Sequence, residues 1–107
     1  EHEAAREARR DRRDQVEFEV RRTWQAVEEA RARSAVTTSG IQAAERALTI
    51  LEDRFGAGVA KITDLLDAET MAHEQRVRDA QAHNDLEMAI RTLSFTIGGE
   101  PVAEVNR

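Results

Sequence analysis

At 107 residues, with a net charge of −5, no cysteine, one proline and 35% charged side chains, the chain has the composition of long helices rather than of a compact globule. Its few aromatic residues (Phe18, Trp24, Phe55 and Phe95) cannot anchor a large core, and the lack of cysteine excludes a disulfide scaffold. No apolar run approaches the roughly 20 residues that cross a bilayer; no secretory leader is visible, so an exported protein would be represented here by an internal piece.

The first predicted element is a helix over about residues 3–55. Its opening run alternates Arg9, Arg10, Arg12 and Arg13 with Glu7, Asp11 and Asp14, and residues 1–39 carry nine acids against nine arginines. Such a balanced run reads as a solvated helix face with ion pairs and argues against nucleic-acid binding. From Val16 a seam runs through Val20, Thr23, Val27, Ala30, Ser34, Thr37, Ile41, Ala44, Leu48, Leu51 and Phe55 in alternating steps of four and three. That heptad spacing specifies a long coiled-coil contact with a neighbouring helix. Small residues at many seam positions bring the neighbour close but bury little apolar area, so the seam specifies geometry better than it supplies stability. Trp24, beside Thr23, is expected to cover a groove between helices.

Ser34 to Gly40 is the weak stretch. Thr, Val and Ser are mediocre helix formers, and Gly40 costs about 1 kcal/mol relative to Ala inside a helix. A break here would give three helices. The seam nevertheless crosses the segment in register, which favours one continuous helix.

Gly56-Ala57-Gly58 punctuates the chain, and residues 56–60 are predicted to form a turn, with either glycine able to take the left-handed conformation that ends a helix. A second helix follows over about 62–97, with Thr63 as a possible cap or Lys61-Ile62 already helical. Leu86, Ile90, Leu93 and Ile97 carry its seam, begun less cleanly by Leu65, Leu66 and Ala72, with a polar middle. Gly98-Gly99 and Pro101 stop it and leave a polar tail, 100–107. The expected fold is all-α: a long antiparallel hairpin over 1–99, with partner helices supplied by other copies or by further parts of a longer protein.

Catalytic apparatus is not evident. Glu69 and His73, like Asp79 and His83, have i,i+4 spacing, yet the Glu-x-x-His spacing of di-iron bundles is missing and the first seam adds no ligand. Solvent-facing histidines on a polar helix are the ordinary reading. No phosphate loop, nucleophile elbow or other enzyme motif is present, and no metal or cofactor is expected.

The stretch RFGAGVAKITDLLDAE resembles the periplasmic tip of the TolC-like outer-membrane efflux channels, through Arg54, Phe55, Gly58, Asp64, Leu65, Leu66, Asp67 and Ala68. AQAHNDLEMAIRTLSFTIGG is similar to the ending of the family's return helix, with Leu93 and Gly98 in place. The resemblance covers nearly the whole chain, most specifically residues 41–99. It implies the second of two hairpins in a homotrimeric channel, forming part of a periplasmic α-barrel beneath an outer-membrane β-barrel. Tip hairpins of that family close the entrance and meet a periplasmic adaptor protein, which links them indirectly to an inner-membrane pump.

On that resemblance Phe55, Asp64 and Asp67 form the tip and gate, and Arg54, Gly56, Gly58 and Lys61 form the docking turn. Asp64 and Asp67, spaced i,i+3, would place six carboxylates near a threefold mouth and favour cations there. Their plain alternative is a favourable interaction with the positive end of the second helix; for Phe55 it is seam packing, and for the glycines an ordinary helix stop. The position two after the turn glycine, basic in some members, is Ala60, with Lys61 beside it. Competing readings of the whole chain are a freestanding coiled-coil scaffold, which shares the heptads and balanced charge, and the hairpin of the adaptor itself.

Overall fold

The structure, a computed structural model, describes residues 2–98. Helix α1 spans His2–Gly56 and helix α2 spans Ile62–Gly98. The fold is all-α, and α1 runs unbroken through Ser34–Gly40. The polar tail and the Gly99 and Pro101 stop lie outside the described residues.

The chain divides into two units. One comprises residues 31–85 and contains the turn; the other is formed by the start of α1, up to residue 30, and the end of α2, from residue 86.

In the 31–85 unit the two helices form an antiparallel hairpin. Leu65, Ala68, Ala72, Ala82 and Ser34 are buried, and Thr37, Ile41, Ala44, Leu48 and Leu51 are half-buried. Positions 34, 37, 41, 44, 48 and 51 keep the predicted spacing, so the seam of α1 is the face that meets α2. The α2 side has a stricter heptad than its apolar residues suggest: Leu65, Ala68, Ala72, Gln75, Asp79 and Ala82 are all buried or half-buried. Leu66, counted with the start of the seam, is instead 52% exposed. Gln75 and Asp79 complete the pattern as polar members. Gly40 makes room for the first, because a Cβ there would meet Gln75 Oε1 at 2.7 Å. Across the outside of the hairpin Arg76 Nε lies 3.5 Å from Glu45 Oε1, both side chains about half exposed, a pair worth no more than a few tenths of a kcal/mol.

In the other unit Val27, Ala30 and Leu93 are buried, with Val20, Thr23, Leu86, Ala89, Ile90 and Thr96 half-buried around them. Ile97, expected in the seam, is 64% exposed, and Thr96 takes the half-buried place. Trp24 is also exposed, so it covers no groove between the described helices. Every described residue before Val20 is exposed. Arg6, Arg9, Arg10 and Arg13 share one face of α1 there, and no ion pair forms along that run among the described residues; the expected solvated face is present without its salt bridges.

Candidate functional site

The turn between the helices is built by backbone geometry. The amide of Val59 donates to the carbonyl of Arg54 at 2.9 Å, and that of Gly58 to the carbonyl of Phe55 at 3.0 Å. This paired arrangement is a Schellman motif, which satisfies carbonyls that the end of α1 would otherwise leave open. It requires a left-handed residue, and Gly58 supplies it with φ of 76°. Gly56 is still helical, the last residue of α1. The two glycines therefore differ: Gly58 makes the turn, whereas Gly56 is an ordinary helical position with open space around it.

The start of α2 is less conventional. The Lys61 carbonyl accepts from the amides of Asp64 at 3.1 Å and Leu65 at 3.3 Å, which puts Lys61 at the N-cap and Thr63 inside the helix. Serine, threonine, aspartate or asparagine suits that place, because their side chains accept from first-turn amides. A lysine accepts nothing and sets a positive charge against the positive end of the helix. Asp64, in the first turn, offsets it. Asp67 lies further along and gains little from the helix end, so the two carboxylates, alike in sequence, have different local reasons to be there.

Both aspartates border a groove of about 310 Å³ on one side of the hairpin, with Ala44, Ala47, Leu51, Ala68 and Met71 as its apolar lining. Neither carboxylate has a side-chain hydrogen bond or ion pair among the described residues. Phe55 is 42% exposed and does not close the seam as a buried plug. In the turn and the first turns of α2, Val59, Ile62 and Leu66 are at least half exposed, at 73, 50 and 52%. Sequence reasoning missed these three as surface residues. Counting the heptad back from Leu86 and Leu93 would have put Leu65 in the seam and left Ile62 and Leu66 outside it.

A family model described as outer membrane efflux protein matches residues 1–99. The chain belongs to the outer membrane efflux protein family. Neither the curated proteins nor the solved structures contain a match. Membership makes the chain a component of an outer-membrane efflux channel and agrees with the resemblance carried by Arg54–Ala68. Among the described residues no helix is long and apolar enough to cross a membrane. Several exposed apolar residues of this efflux-family hairpin line up, although Met71 of α2, also exposed, lies off their arc. At about 100° per residue, Ile62, Leu66 and Val77 fall within a ~60° arc of α2, roughly opposite the buried seam. Val36 and Ile50 share an outward face of α1 with Ala43 and Ala47.

Proposed function

We propose that this chain is the periplasmic helical-barrel segment of an outer-membrane efflux or secretion channel, working as a homotrimer, and that its turn is the tip that gates the conduit and docks a periplasmic adaptor. The family match over residues 1–99 is the observation that carries the reading. The second apolar stripe on each helix supports a barrel wall, in which every helix has neighbours on both sides and needs two sticky faces.

Docking uses Arg54, Gly56, Gly58 and Lys61. What supports this is the chemistry of the turn: exposed Phe55 and Val59 beside glycines that carry no side chain, and a lysine kept at an N-cap where helix stability favours another residue. Gating uses Phe55, Asp64 and Asp67. Two carboxylates free of partners along one groove would attract cations when brought around a threefold axis. An inner-membrane pump would be engaged through the adaptor.

Site-directed cross-linking in cells tests the docking half. With a photoreactive residue at position 59 of the full-length protein, the adaptor should be captured, and with one at Val77 it should not. Capture of the adaptor at Val77 but not at Val59 would remove the turn from the interface.

A further inference from the structure

Within the 31–85 unit, the seam of α2 passes through Gln75 and Asp79, where heptad packing favours apolar residues. Asp79 Oδ1 accepts hydrogen bonds from Thr37 Oγ1 at 2.9 Å and from Thr38 Oγ1 at 3.2 Å. Successive helical residues point about 100° apart, so the two hydroxyls close on the carboxylate from either side of the seam. On the outer side His83 Nδ1 lies 3.4 Å from the same oxygen and 2.9 Å from the Asp79 carbonyl.

As stabilisers these groups are poor. Thr37 Oγ1 is also 3.0 Å from the Ser34 carbonyl, an acceptor it keeps without Asp79. The Asp79 side chain, 20% exposed, has exchanged most of its water for two neutral hydroxyls. A well-packed apolar residue commonly serves a seam at least as well as a buried charge does.

What the arrangement fixes is alignment. Apolar seam positions are nearly interchangeable: a slide of one heptad sets Ala72 against Leu51 and Ala82 against Ile41, pairs of the same kind as Ala68 with Leu48 in the register of the turn. Asp79 is not interchangeable: one slide places it against Ala44 with the like charge of Glu45 where Thr38 stood, and the other against Ala30 with Arg31 there, so neither reproduces the pair of hydroxyls. Residues 37 and 79 are equidistant in sequence from Gly58, the residue on which the turn is centred. The polar contact therefore repeats, towards the end of the unit away from the turn, the register that the turn sets.

We propose that Asp79, held by Thr37 and Thr38, is a register lock for the hairpin: a positioning residue that excludes the heptad-shifted pairing with Ala44 and Glu45 and so fixes where the Asp64 and Asp67 carboxylates stand relative to α1. One buried polar residue at a seam position is the best-attested way to specify alignment at a cost in stability.

The chain contains no cysteine, so a spin-label pair at Gln42→Cys and Glu74→Cys, both exposed and equidistant from Gly58, reads the alignment. In the full chain the native sequence and Asp79→Asn, which retains an acceptor oxygen, should each give a single narrow distance. Asp79→Leu should keep or raise the Tm and add a second population, in which one label has moved by about 10 Å along the helix axis, the rise of one heptad. A single narrow distance in Asp79→Leu would overturn the proposal. So would loss of helicity or a lowered Tm in that variant, since either would make Asp79 an ordinary stabilising contact.

Discussion

Next to the turn, the hairpin unit meets through leucines; away from the turn, it meets through an aspartate, an amide and two threonines. Leu51 and Leu65 occupy the end nearest the Schellman turn, while Ser34, Thr37, Gln75 and Asp79 occupy the part of the unit far from it. The same heptad runs through both regions, so the difference is one of chemistry and not of geometry. Apolar burial supplies free energy in proportion to area and discriminates weakly between registers. A buried polar contact gives back much of its gain as desolvation and discriminates between alignments more sharply than apolar burial does. The hairpin is thus held near its tip and aligned farther from it.

The sharpest way to break that contrast is to empty the tip end. Leu65→Ala should cost about 2 kcal/mol or somewhat more, as for other buried leucines, measured by chemical denaturation of the full chain; a loss no larger than that of Asp79→Leu would erase the distinction. Next in size are the turn residues. Gly58→Ala should cost about 1 kcal/mol, because its Cβ meets nothing and the whole penalty is the left-handed backbone. Gly56→Ala should gain a fraction of a kcal/mol instead, being a helical position; equal losses at the two glycines would contradict the assignment of the turn to Gly58.

Lys61→Ser should stabilise α2 by about 1 kcal/mol by giving the N-cap an acceptor and, on the docking proposal, should weaken adaptor cross-linking at position 59. Stabilisation with cross-linking unchanged would leave Lys61 without a role in docking. The smallest effect belongs to the polar stretch. Gly40→Ala should raise stability by about 0.5 kcal/mol, the helical gain less the cost of moving the end of Gln75, which is the only side chain the new methyl meets. A marked loss in thermal melts would show that Gln75 is held in place, and that the polar stretch contributes more than alignment.

The helical class, the seam of α1 from Val20 to Leu51 and the glycine turn were legible because each rests on a local rule, heptad spacing or glycine at a helix end; Val16 and Phe55, counted at the two ends of that seam, are 49% and 42% exposed. The middle of α2 was not legible. Apolar residues alone make its seam look broken between Ala72 and Leu86, since Gln75 and Asp79 belong to it only in the company of Gly40, Thr37 and Thr38. Those partners are some 35 to 42 positions away, beyond the reach of any periodicity within one helix. The apparent weakness of Ser34–Gly40 has the same origin: its glycine and threonines are poor for an isolated helix and suited to the polar stretch they face. At the candidate site, the aspartates and glycines stood out as residue types, whereas the exposure of Phe55, Val59, Ile62 and Leu66 depends on which face α2 turns inward.

The central claim is that Asp64 and Asp67 act at the mouth of an efflux channel, and conductance of the full-length protein in a planar bilayer tests it most directly. With both replaced by Asn, block by divalent or larger cations added on the periplasmic side should weaken by roughly an order of magnitude, while helicity and trimer assembly are retained. Unchanged block in a correctly assembled double variant would reduce Asp64 to a helix-end charge and Asp67 to a solvated side chain.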